Sequence, residues 1–186
     1  YIGLTNTTVI FDTNKELNLK YLLALLNSKL LNFRYKSIGK QTGSGIYEYF
    51  ENGVGKLPLP KISEDEQKPF IEKADIMLDL NQKLQKIKHK FLDELELEKI
   101  PKKLQSFEDL DFNEFIKEFK KAKKIKFKNR LEERKFKDEW RDLFEQDREN
   151  ALKIKDKINK TDREIDRMVY ELYGLSDDEI EIVEKR

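Results

Sequence analysis

Two long stretches, residues 64–99 and 132–173, repeat apolar residues at steps of three and four. The first stripe runs Phe70, Ala74, Met77, Asn81, Leu84, Ile87 or Lys88, Phe91 and Leu95, close to a heptad. The second runs Phe136, Trp140, Leu143 or Phe144, Asp147, Ala151, Ile154, Ile158, Ile165, Met168, Val169 and Leu172. Such a period turns one helix face toward a neighbour and leaves the other in water. Charged residues make up 40% of the 186-residue chain and hydrophobic residues 38%, which disfavours a thick layered core and suits paired amphipathic helices. The two helices are therefore expected as antiparallel neighbours. Asn81 either fixes their register or stands at a wet position. Pro69 is tolerated in a first helical turn, Pro101 stops the first helix, and Gly174 can close the second in the left-handed conformation.

The segment 100–131 between them is too long to be left structureless, and it is expected to fold as a helical cap. Asp111 with Glu114 three residues on is a capping box, opening a short helix that carries Phe115, Ile116, Phe119, Ala122 and Ile125. The other face of that helix is lysine. Ser176 with Glu179 opens a terminal helix, 176–184, with Ile180 and Val183 inward.

Residues 1–62 read differently. Thr5 to Phe11 is β-branched and aromatic and predicts a strand, with a turn over residues 12–14. Asn18 caps a helix from Leu19 to about Tyr35, marked by Leu22, Leu23, Leu26, Leu30 and Phe33. Residues 37–60 hold most of the glycine and the run Leu57-Pro58-Leu59-Pro60, which reads as loop plus short strand. The expected class is α+β: a small β-containing unit in 1–62, then a long antiparallel helical hairpin with a helical cap in 63–186.

The chemistry available is narrow. The absence of cysteine excludes disulfides, thiolate nucleophiles and cysteine-based zinc sites, and it fits a cytoplasmic protein. His89 is the single histidine, flanked by Lys88 and Lys90, and reads as an exposed surface residue. Asp162, Glu164 and Asp166 are close in sequence, but helical spacing splits them around the rod, so no metal is expected. The carboxylates of Glu94, Glu96 and Glu98 read as a solvated helix face. No run is apolar enough for a membrane partner. The chain opens at Tyr1-Ile2-Gly3-Leu4 without methionine, which reads as a fragment of a longer protein.

Net charge is only +1, yet cations cluster locally. Lys36, Lys40, Gln41, Thr42, Ser44, Tyr47, Tyr49 and Lys56 combine phosphate-contact types with groups that read base edges. Gly43-Ser44-Gly45 among them can hold a phosphate with backbone amides, or simply turn the chain. The run 117–130 holds Lys117, Lys120, Lys121, Lys123, Lys124, Lys126, Lys128 and Arg130, with Glu118 its only acid. Lys120, Lys121, Lys124 and Lys128 are its candidate DNA contacts, against the plain reading of a solvated face.

Three stretches carry a family resemblance. Thr161 to Ile180 contains an isoleucine–aspartate pair, then Val169-Tyr170-Glu171-Leu172-Tyr173-Gly174-Leu175, then an acidic helix. Tyr21 to Leu30 ends in Asn27-Ser28-Lys29-Leu30. Leu57-Pro58-Leu59-Pro60 is followed by Pro69-Phe70-Ile71. In this order they resemble the TaqI-like C-terminal specificity domain, the target-recognition domain of adenine-N6 DNA methyltransferases and fused type II restriction–modification enzymes. The resemblance covers both ends and much of 19–80, while 100–150 looks like an insertion. It implies sequence-specific recognition of double-stranded DNA, with the 36–56 loops meeting the duplex and no catalytic residue in this portion. The Asn/Asp-Pro-Pro-Tyr/Phe motif is absent here. The resemblance therefore assigns S-adenosylmethionine and base flipping to a methyltransferase domain upstream, and no cofactor to this chain. The alternative is a structural, dimerising or subunit-bracing helical module of a restriction–modification complex, with a homodimer or another subunit as partner.

Overall fold

The computed structural model describes residues 17–39 and 51–185. Among them the regular structure is helical throughout: α1 (Leu19–Asn27), α2 (Lys29–Ile38), α3 (Glu51–Val54), α4 (Glu64–Glu94), a 3-10 helix (Leu104–Asp109), α5 (Phe112–Lys123), α6 (Arg130–Tyr173) and α7 (Asp177–Glu184). The α+β expectation is corrected accordingly, since the described residues contain no strand. The described part of 37–60 is helix and turn up to Leu57, and 58–63 has no regular structure and pairs in no ladder. The prolines explain the latter, because Pro58 and Pro60 have no N–H to give a ladder. The strand expected over 5–11 lies outside the described residues. The fold divides into two compact units, Tyr1–Met77 with Lys160–Arg186, and Leu78–Asn159.

In the first unit the apolar run 19–35 does not make one helix. Ser28 is at once the C-cap of α1 and the N-cap of α2, with an extended φ/ψ of −66°/153°. Its buried hydroxyl donates to the Leu25 carbonyl at 2.6 Å and accepts from the Leu31 N–H at 3.3 Å. A serine that satisfies both ends in this way competes with the helix ladder and breaks it. Asn18 caps α1 by accepting the Lys20 N–H at 2.8 Å. Tyr21, Leu22, Ala24 and Leu25 of α1 share a core with Phe70 and Ala74 of α4 and with Ile165 and Val169 of α6. A second cluster joins Leu31 and Tyr35 of α2 to Leu57. Here two glycines make room for an aromatic ring. A Cβ on Gly39 would fall 2.6 Å from the Tyr35 ring, and one on Gly53 would fall 2.8 Å from its hydroxyl. Helix α6 ends in a left-handed Gly174 (φ 65°), with the Leu175 N–H returning to the Tyr170 carbonyl at 3.0 Å.

The second unit is built on phenylalanine. Phe91, Leu95, Leu104, Phe107, Phe112, Phe115, Ile116, Phe119 and Phe144 are buried together, with Phe136 and Trp140 packed against them. Phe91 stacks on Phe107 at 4.0 Å, Phe115 on Phe144 at 4.6 Å, and Phe119 meets Trp140 edge-on at 4.7 Å. Each such pair adds about 0.5–1.5 kcal/mol to simple area burial. Residues 104–119 supply more than half of these buried side chains, so this segment holds the core of the unit. Helix α4 stops at Glu94, short of residue 99, because Glu96 turns left-handed (φ 49°) and the Lys123 ammonium takes up the Leu95 carbonyl at 3.2 Å. A cation at a helix C-terminus meets the negative end of the dipole.

Candidate functional site

The first unit holds two linked arrangements, both built around the α1–α2 break. At the start of α2 the Lys29 N–H has no helical partner, as at any helix N-terminus. The Asp166 carboxylate of α6 accepts it at 2.8 Å. Asp166 is 3% exposed, and its second oxygen makes no hydrogen bond, lying 3.9 Å from the Lys29 ammonium. Burial raises this carboxyl above the usual carboxylate range, and the Lys29 N–H offsets part of the rise. The Lys29 ammonium pairs with Glu184 of α7, which also accepts the Tyr170 hydroxyl at 2.8 Å. The bond to Glu184 raises the Lys29 ammonium, and in return holds the Glu184 carboxyl low.

The Leu57–Pro60 segment is fixed by hydroxyls. Tyr173 donates to the Pro58 carbonyl at 2.6 Å and Tyr21 to the Pro60 carbonyl at 3.0 Å. Burial pushes both phenols up to about 12, so they remain donors through the ordinary pH range. Gln67, 2% exposed, gives its amide N–H to the Ile62 carbonyl at 3.0 Å and accepts the Asn18 N–H at 2.8 Å. Three side chains of α4 and α6 (Gln67, Asp166 and Tyr173) thus hold the backbone of 18–60 at widely spaced points.

The predicted DNA contacts divide by position. Lys36 is exposed in the last turn of α2 and lines a cleft of about 530 Å³ with Lys29, Asn32, Phe33, Ser37, Val183 and Glu184. Lys56 is exposed in the turn after α3. Lys40, Gln41, Thr42, Ser44, Tyr47 and Tyr49 lie outside the described residues. The remaining four belong to the second unit. Lys120 is engaged within the fold, paired with Glu133 at 3.1 Å and lying 4.7 Å over the Phe127 ring. Lys121, Lys124 and Lys128 are exposed around the end of α5, where Lys124 adopts φ 55° as the cap.

Buried charge in the second unit is ionic rather than catalytic in form. Glu108, 2% exposed, pairs with Lys88 at 2.7 Å, and Lys155 bridges toward it from Asp109. Asp147 is also buried on the α6 stripe, and burial raises its carboxyl. His89 is exposed. Among the described residues no group of three or more histidine, cysteine, aspartate or glutamate side chains is placed to hold a metal. Among them, too, no helix is long and apolar enough to cross a membrane. Sequence reasoning missed the residues that organise the first unit: Ser28 as a double cap, Gln67 as a clamp, and Asp166 as an acceptor for Lys29. The Ser63–Glu66 box that opens α4, at 2.9 Å and 3.4 Å, was legible by the rule that found Asp111–Glu114.

Comparison with known families gives two matches. A family described as Domain of unknown function (DUF8810) matches residues 63–169, and the TaqI-like C-terminal specificity domain matches residues 1–59. The C-terminal run from 170 onward lies outside both. No curated protein and no solved structure matches the chain. The first match spans more than half of the 186 residues, and the chain belongs to that family, the Domain of unknown function (DUF8810), with a TaqI-like C-terminal specificity domain preceding it in residues 1–59.

Proposed function

We propose that the chain is a helical bracing module of a restriction–modification protein, whose long helices hold the specificity segment in shape. One observation carries this reading: Gln67, Asp166 and Tyr173, all on α4 or α6, bond the backbone at Asn18, Lys29 and Pro58, inside or at the edge of that segment. Bracing of this kind needs buried acceptors and donors aimed at backbone, together with a shared apolar core, and needs no reactive group. The test is amide exchange across 18–60 in the full chain. Asp166→Ala and Tyr173→Phe together should lower protection at Lys29, Leu57 and Leu59. Unchanged protection there, in a variant that stays folded, sinks the reading.

A second reading is favoured by the specificity-domain match over 1–59. In it, this chain is the C-terminal portion of an adenine-N6 DNA methyltransferase, joined in some forms to an endonuclease. It reads a double-stranded DNA sequence through Lys36 to Lys56, beside an upstream domain that binds S-adenosylmethionine in the cytoplasm. A homodimer or another restriction–modification subunit would then meet the braced helices. Binding of a labelled duplex should weaken steeply with salt. Absence of binding at low salt removes this reading and leaves the bracing role standing.

A further inference from the structure

Helix α7 is acidic and packs on α2. Its sequence Asp-Asp-Glu-Ile-Glu-Ile-Val-Glu carries five carboxylates and no cation. Val183 is its buried side chain, while Ile182 is 54% exposed. Glu179 serves the Ser176 capping box and Glu181 pairs with Lys185, so beside the buried Val183 the polar tie to the rest of the unit falls to Glu184. Glu184 grips the Lys29 ammonium and the Tyr170 hydroxyl.

The face of α2 that borders this contact has a chemistry of its own. Lys29, Asn32, Phe33 and Lys36 recur at helical spacing and, with Ser37, line the cleft that Val183 and Glu184 close from the other side. The two ammonium groups on this face are the side-chain type that contacts a phosphate backbone, while the Asn32 amide gives its N–H to the Asn27 and Ser28 carbonyls and the Ser37 hydroxyl donates to the Arg34 carbonyl. Glu184 sits where such a phosphate would neutralise Lys29. The connection to α6 is short. Gly174 has φ 65°, no atom lies within 4 Å of where its Cβ would be, and it joins α6 to α7 through only Leu175 and Ser176.

We propose that α7 is an acidic latch on the specificity segment: Glu184 occupies the cationic face of α2, and a DNA phosphate backbone displaces it. The latch rests on the DNA-contact reading of residues 1–59 and adds a regulatory step to it. Carboxylate and phosphate compete for the same ammonium, and the latch opens when the duplex is present in excess. Because the Lys29–Glu184 pair is about half exposed on both sides, the competition is a few-fold effect rather than an absolute block.

The test uses the full chain and a labelled mixed-sequence DNA duplex, with anisotropy read at low salt. Glu184→Gln removes the charge but keeps an acceptor for Tyr170. It should tighten duplex binding about two- to fivefold. Lys36→Ala should weaken binding in both backgrounds. Amide exchange gives a second readout in the unsubstituted chain, where adding the duplex should lower protection in α7. Binding that falls with Lys36→Ala but is blind to Glu184→Gln, with α7 protection unmoved by duplex, overturns the latch alone. No binding by any variant at low salt overturns the DNA reading and the latch with it.

Discussion

The Asp166 carboxylate accepts the backbone N–H of Lys29 at 2.8 Å, across 137 residues of sequence, and so ends the chain break that Ser28 begins. Asp166→Ala leaves this N–H without its acceptor. The loss should be about 1–2 kcal/mol of stability, read from a urea transition. Asp166→Asn, which keeps a side-chain oxygen, should lose less.

The same residue predicts a pH dependence. Burial raises the folded-state pKa of Asp166 above the unfolded value. The protonated form therefore favours the fold. Its contribution is fully present below the unfolded carboxylate pKa and is lost as pH rises through the raised folded value. As pH rises from about 4, the ordinary aspartate value, the stability of the unsubstituted chain should fall relative to Asp166→Asn. A difference that stays flat, or moves the other way, contradicts the assignment.

Glu108 and Lys88 form the most enclosed ion pair of the second unit, at 2.7 Å with side chains 3% and 15% exposed. Removing one partner strands the other charge. Lys88→Met should cost about 3 kcal/mol, because the 3.9 Å approach of Lys155 is too long to replace it. The double variant Lys88→Met with Glu108→Leu should recover most of that loss in thermal melting.

Asp147 stands on the apolar stripe of α6, with one oxygen lacking a hydrogen-bond partner. Asp147→Leu should therefore stabilise the fold at neutral pH by about 1 kcal/mol, visible as a Tm higher by a few degrees. A lower Tm would mean that the carboxylate is held by more than the attraction of Lys90.

The exposed cations at the end of α5 separate the two functional readings. Reversing Lys121, Lys124 and Lys128 to glutamate should leave the fold intact, with a Tm lower by only a few degrees, the cost of placing anions at the C-terminal end of α5. If the helical region only braces, duplex binding is unchanged. A loss of binding together with a shallower salt slope would place the second unit on DNA.

Local signals were legible and long-range ones were not. Asn18, Asp111–Glu114 and Ser176–Glu179 cap helices where the sequence places them, because a cap is made within three residues. The break at Ser28 was hidden, because the apolar spacing runs straight through it and Asp166, which accepts the Lys29 N–H, lies far along the chain. Asn81 is exposed and Leu80 is buried instead, a shift of one position that a near-heptad pattern leaves undetermined. Lys120 and Lys121 are adjacent and alike in sequence. Only the fold directs one to Glu133 and leaves the other in water.

The Leu57–Pro60 segment bears on solubility as well as shape. Its two prolines offer carbonyls and no N–H, and those carbonyls are taken by two tyrosine hydroxyls. A segment with these two carbonyls filled, and with no donors at alternate positions, is a poor template for a strand from another molecule. The tyrosines thereby do for this stretch what a neighbouring strand would do in a sheet, without leaving an open edge to recruit one.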